Sequence, residues 1–113
     1  MGAYLKKQYI PLPPVVEFID SQSMAAREEY DAIVDELERT GMLRMPLGEK
    51  ISGENLFAIR VIQAANIRVF YVYGKADKVY GIHGYVKKSQ AIPQKHLGQA
   101  RRIGKILHQK GLI

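Results

Sequence analysis

Two adjacent lysines, Lys87 and Lys88, end a strand-like run and stand shortly before Pro93. A strand that ends in a doubled positive charge often meets an anionic partner. In the preceding runs Arg60 and Arg68 each interrupt an otherwise apolar strand face. Because an unpaired buried guanidinium is costly, we expect each arginine to meet a carboxylate, reach a sheet edge or line a groove that accepts phosphate. The scarcity of acidic residues in this half of the chain favours the groove, and a structural ion pair is the alternative.

His83 is a candidate for proton transfer. Strand alternation predicts that it shares a face with Val79, Gly81 and Tyr85, and the flanking glycines, Gly81 and Gly84, would let a ligand or another backbone approach closely. A lone histidine is more often structural than catalytic, so both interpretations stay open.

Four tyrosines occupy the same runs and have two possible uses. They could stack on unpaired RNA bases, or they could be ordinary sheet packing, which is the better default for at least two of them. They are Tyr71, Tyr73, Tyr80 and Tyr85.

Other common catalytic signatures are missing. His83, His96 and His108 have no spacing typical of metal ligands, and the chain has no cysteine, so we expect neither a metal site nor a thiol nucleophile. The sequence also has no Walker loop, no GxSxG motif and no GxGxxG motif. We therefore expect no cofactor.

The distribution of charge says more than the net charge of +6. Residues 1–55 hold ten of the 11 acidic residues and six of the 17 basic ones, whereas residues 56–113 hold eleven basic residues against Asp77 alone. Such a basic half attracts polyanions, of which nucleic acid is the commonest in the cytoplasm, although a merely solvated basic surface is the alternative. No apolar run approaches the ~20 residues that span a bilayer, and no signal peptide is evident, so we expect a cytoplasmic protein without membrane partners.

The elements that must position these candidates can be read from the periodicity. PVVEFIDS (14–21) predicts a short helix that starts at its prolines, and residues 23–41 predict an amphipathic helix that ends at Gly41. Residues 56–62, 67–73 and 78–86 predict three strands of an antiparallel meander. Pro93 opens a last, basic helix with apolar residues at helical spacing. The order of elements predicts one α+β domain.

The runs LFAIRV, NIRVFYVY and KVYGIHGYVKKSQAIP, followed by QAR, resemble the phage-derived HigB-like branch of the RelE/ParE toxin superfamily. The resemblance covers roughly residues 13–108. Its most specific part is the end of the last strand, where an apolar residue, His, Gly, an aromatic residue and two lysines precede a proline.

The resemblance implies a single toxin domain over residues 1–113. Its fold would be two N-terminal helices packed on a small curved antiparallel β-sheet, with a C-terminal basic helix. Such proteins are toxins of type II toxin–antitoxin modules, and the active ones cut mRNA, usually in the ribosomal A site. The implied partners are therefore mRNA, the ribosome and a helix-turn-helix (HigA-like) antitoxin, with DNA reached only through the antitoxin.

Carried over to this sequence, the family pattern implies catalytic roles for Arg60, Arg68, His83, Tyr85 and Lys87. The arginines would offset charge on the phosphate, while His83, Tyr85 or a lysine would move protons. The sequence does not choose among these proton carriers, and the paired lysines suit contacts with ribosomal RNA equally well. The residues that we expect to contact RNA are Lys88, Tyr71, Tyr73, Lys95, Arg101 and Arg102.

Three positions depart from the family pattern. Ile92 stands where the family usually has a threonine that caps the last helix, and KHLGQA lacks that helix's common acidic residue. The first strand of the fold is poorly marked, since AYLKKQYIPL is short and ends at a proline. The alternative function is a non-catalytic one: a ParE-like gyrase inhibitor or a nucleic-acid-binding phage protein. The nuclease interpretation requires that the arginines, His83 and the lysines share one face of the sheet.

Overall fold

A computed structural model describes residues 6–113. The helices are α1 (Pro13–Asp20), α2 (Met24–Thr40) and α3 (Gln94–Gln109). The strands are β1 (Gln8–Pro11), β2 (Gly48–Lys50), β3 (Phe57–Val61), β4 (Ile67–Tyr73) and β5 (Lys78–Val86). No helix in this part of the chain is long and apolar enough to cross a membrane. The predicted α+β class is confirmed, with two helices before the meander and one after it.

The five strands form one sheet in the order β1, β5, β4, β3, β2. The three predicted strands are its centre and pair antiparallel, as expected. The poorly marked N-terminal strand exists as β1, and it pairs parallel to β5, so the sheet is mixed and not wholly antiparallel. β2 was not predicted, because three residues that contain Gly48 and Glu49 carry little strand pattern.

Local capping explains where the helices begin and end. α1 starts with Pro13 and Pro14, which suit the first helical turn. Ser23 accepts a hydrogen bond from the Ala26 N–H at the start of α2, and Gly41 ends that helix with a φ of 82°. α3 follows Pro93 without a side-chain cap.

The sheet is covered on both faces, which makes two cores. One core joins α1 and α2 to the sheet and includes Val15, Leu37 and Val69. The other joins α3 to the opposite face and includes Leu97 and Phe70. α3 therefore packs on the face that faces away from the first two helices, and the candidate site lies on this α3 face.

A β-bulge in β5 changes which side chains share the α3 face. Phe70 pairs with His83 and Tyr71 pairs with Gly81, so Ile82 has no partner residue on β4. Strand alternation predicts that His83 shares a face with Val79, and that prediction is wrong. Val79 faces the core under α1 and α2, whereas beyond the bulge His83 lies on the α3 side with Tyr85.

Candidate functional site

The centre of the site is a row of side chains across three strands. Arg60 on β3 lies directly opposite Arg68 on β4, and Arg68 lies directly opposite Tyr85 on β5. Paired residues project on the same side of a sheet, so all three belong to the α3 face. Like charges in this arrangement repel, and a counter-charge is needed nearby.

Glu49 on β2 provides that counter-charge. Its Oε1 atom lies 3.7 Å from the Nε atoms of both Arg60 and Arg68. Arg60 also donates from Nη1 to the carbonyl oxygen of Pro46 at 2.8 Å. The ion pair that the sequence left as an alternative is therefore present, and its acid comes from the acidic half of the chain.

The same arginines line an open pocket of about 520 Å³, which we call the cationic pocket. Lys87 and Lys88 follow the end of β5 and form another part of its wall. Groove and ion pair therefore coexist. The full lining is Arg60, Asn66, Arg68, Lys87, Lys88, Ser89 and Gln90.

Several buried donors here lack an acceptor among the described residues. They are the Nε atoms of Arg60 and Arg68 and the hydroxyl of Tyr85. Burial and the neighbouring Arg60 lower the pKa of Arg68, although this guanidinium stays charged at neutral pH. Burial raises the pKa of Tyr85, while Arg68 opposes that change. The arrangement offers fixed cationic donors to an anion, and phosphate is the anion whose geometry guanidinium groups match best.

His83 and Tyr85 form a stacked group beside the cationic pocket but do not line it. His83 Nε2 and His96 Nδ1 share a hydrogen bond of 2.8 Å, and the His96 ring stacks on Tyr85 with centroids 4.2 Å apart. Burial and the adjacent His96 lower the pKa of His83, and burial and Lys95 lower that of His96. Nε2 of His83 is thus already engaged, and among residues 6–113 its Nδ1 makes no hydrogen bond.

A second cavity, of about 420 Å³, adjoins this group. It shares Lys88 with the cationic pocket and is also lined by Tyr85, Lys95 and His96. Of the candidate RNA contacts, Lys88 thus lines both cavities, and Lys95 lines the second one only.

Two of the predicted RNA contacts lie on the wrong face of the sheet. Tyr71 is 1% exposed within the core under α1 and α2, where it stacks on Phe57. Tyr73 packs against the same core and donates its hydroxyl hydrogen to the Gly41 carbonyl. Strand alternation places both tyrosines on the face opposite to Arg68, so neither can meet a ligand of the cationic pocket. Burial rules out an RNA contact for Tyr71, whereas for the half-buried Tyr73 the contact stays a prediction away from this pocket.

Arg101 and Arg102 lie on the exposed side of α3. Arg101 forms a bidentate pair with Glu54, in which its Nε donates at 3.2 Å to each carboxylate oxygen. Arg102 contacts Gln99. Neither arginine lines the cationic pocket.

Three residues of the site were not predicted from the sequence. Glu49 lies on an unpredicted strand, and His96 lies on a helix whose rotation about its axis the sequence does not set. Asn66 belongs to QAAN, which reads as a simple turn. For Asn66, the sequence signal that could have indicated a role is an asparagine in a turn next to strands that carry cationic residues.

The comparisons with known proteins bear on most of the chain. Residues 17–105 match a family model described as "Phage derived protein Gp49-like (DUF891)". A comparison with curated proteins gave no match. Within residues 6–113, no group of three or more histidine and acidic side chains could hold a metal ion.

Proposed function

Because the chain belongs to the Gp49-like phage-derived protein family, we propose that it is a ribosome-dependent mRNA endonuclease. That family is a toxin–antitoxin toxin family of the RelE/HigB type. It would act in the cytoplasm as the toxin of a type II module and inhibit translation. The observation that carries this proposal is the convergence of four cationic side chains on one pocket: Arg60, Arg68, Lys87 and Lys88.

The chemistry would be attack by the RNA's own 2′-hydroxyl on the neighbouring phosphate. This reaction needs a base for the hydroxyl proton, cations for the charge that grows on the phosphate, and an acid for the departing 5′-oxygen. Arg60 and Arg68 are held by Glu49 and by the backbone carbonyl oxygens of Pro46 and Ile67, so they suit the second task without reorganisation.

Proton transfer falls to groups beside the arginines. Tyr85 is opposite Arg68, and its buried hydroxyl has no hydrogen-bond partner among residues 6–113, which supports it as a proton carrier. Lys87 lines the pocket itself. His83 would act through Tyr85 or through its free nitrogen, because His96 occupies the other one.

The proposed partner is an antitoxin with an acidic segment. The cationic pocket and the second cavity together carry Arg60, Lys87, Lys88 and Lys95, all at least partly exposed. An acidic segment laid over these groups would block RNA and neutralise the face. A complex that left this face open would count against the toxin interpretation.

The test is a reconstituted translation reaction with mRNA ends mapped by primer extension. We expect cuts that require ribosomes and that disappear in Arg60→Ala/Lys87→Ala. Lys75→Ala is the charge control, since Lys75 lies in the turn at the opposite end of β4 and β5. If the wild-type protein leaves mRNA intact but inhibits gyrase in a supercoiling assay, the gyrase-inhibitor alternative is favoured.

A further inference from the structure

We propose that Asn66 is a positioning residue that holds Arg68 and Lys87 of the cationic pocket in one geometry. The inference rests on the proposed function, which assigns these two residues to RNA cleavage. Asn66 itself need not touch RNA.

One half of the Asn66 amide fixes Lys87. The Lys87 N–H donates to the backbone carbonyl oxygen of Asn66 at 2.8 Å, and the side-chain Nδ2 of Asn66 donates back to the Lys87 carbonyl oxygen at 2.9 Å. β4 begins at Ile67 and β5 ends at Val86, so this pair extends the sheet by one residue. Because the side chain replaces a missing backbone bond, the Lys87 backbone is held on both of its polar groups.

The other half of the amide fixes Arg68. Asn66 Oδ1 accepts a hydrogen bond of 3.1 Å from Arg68 Nη1. Rotating the amide by 180° would point its NH₂ group at the guanidinium and its oxygen at the Lys87 carbonyl, and both contacts would be repulsive. The two partners therefore determine the orientation of the amide.

The turn that carries Asn66 is itself anchored to α2. The Glu29 carboxylate accepts hydrogen bonds from the backbone N–H groups of Ile62, Gln63 and Ala64, at 2.8 to 3.1 Å. Burial raises the pKa of Glu29, but these hydrogen bonds outweigh it and leave the pKa lowered. Asn66 thus acts from a turn fixed at its other end.

The ammonium group of Lys87 is also restrained, because Nζ donates to the Gln90 carbonyl oxygen at 3.1 Å. Lys87 and Arg68 consequently meet a ligand from fixed positions on neighbouring strands. Loss of the Asn66 amide keeps every positive charge of the cationic pocket but lets Arg68 and Lys87 move. It should therefore lower the rate of reaction more than the affinity for RNA.

The experiment compares Asn66→Ala with wild type on ribosomes programmed with mRNA. We expect kcat to fall by about 10- to 100-fold with KM changed less than about threefold, the pattern of lost orientation. Asn66→Asp keeps an acceptor for Arg68 but loses the donor to Lys87, so it should not restore kcat. The matched control is Gln63→Ala, an exposed side chain of the same turn, which should retain wild-type kcat.

Hydrogen exchange of the Lys87 amide gives a second readout that needs no activity. In Asn66→Ala this amide keeps its backbone acceptor, but the strand end loses the side-chain bond to the Lys87 carbonyl, so fraying should make the amide exchange faster, while amides in the middle of β4 keep their protection. Unchanged exchange, wild-type kcat in Asn66→Ala, or an equal loss in Gln63→Ala would each overturn the inference. If wild-type protein cuts no RNA, the proposed function fails, and the exchange rates alone decide whether Asn66 holds the pocket.

Discussion

Glu49 is the residue whose replacement should separate the structural role of the arginine pair from its binding role. Glu49→Gln keeps the shape of the side chain and removes its charge. Oε1 lies 3.7 Å from both Arg60 and Arg68, whose guanidinium groups otherwise face each other across β3 and β4. The variant should therefore be less stable and should bind anions more tightly.

The magnitude follows from these distances. At an effective dielectric constant of about 20, each contact of 3.7 Å corresponds to about 4.5 kcal/mol of attraction before desolvation is subtracted. Glu49 is one-third exposed and Arg68 is nearly buried, so the loss should fall between that of a surface pair and a buried one, about 2 kcal/mol. For a domain of this size the melting temperature should fall by about 8 °C.

The assay is thermal unfolding at low salt with increasing inorganic phosphate. Phosphate should raise the Tm of Glu49→Gln more than that of wild type, because two guanidinium groups have lost their internal counter-charge. Glu54→Gln breaks the pair with Arg101, whose side chain is half exposed, and should lower Tm much less. A wild-type Tm in Glu49→Gln, or an equal phosphate response in both proteins, would refute the reasoning.

Two further perturbations test the packing beside the site. Gly84→Ala would place a Cβ atom 2.5 Å from the Phe18 ring and should cost about 1–3 kcal/mol in denaturant unfolding, whereas Gly98→Ala meets no atom within 4 Å and should stabilise α3 by up to ~1 kcal/mol. Equal effects of the two would contradict this packing. The pKa values of His83 and His96 are lowered in the folded protein. As the pH falls, the unfolded chain therefore takes up protons at a higher pH than the folded protein does. The unfolding free energy should thus be level above about pH 7 and fall below about pH 6.5, and replacing both histidines by Phe should reduce that slope. A slope equal to that of wild type would count against the paired imidazoles as its source.

The sequence by itself determined the main helices, the three central strands and the four cationic residues of the pocket. Helical spacing located α2 and α3, the change to strand-like runs located β3 to β5, and alternation correctly put Arg68 on the face of Phe70. These are local properties, since side-chain direction within one regular strand or helix depends only on position. The position of Lys87 and Lys88 at the end of β5 is a local property for the same reason.

The tertiary structure decided which partners these elements bring. Glu49 reaches the arginines only because β2, a segment whose pattern predicts no strand, pairs with β3. The bulge at Ile82 reversed the alternation that the sequence implied for β5, and Tyr71 turned out to be core because α2 covers its face. His96 meets His83 because α3 packs on one face of the sheet. Each outcome depends on packing between distant segments, which periodicity within a segment does not encode.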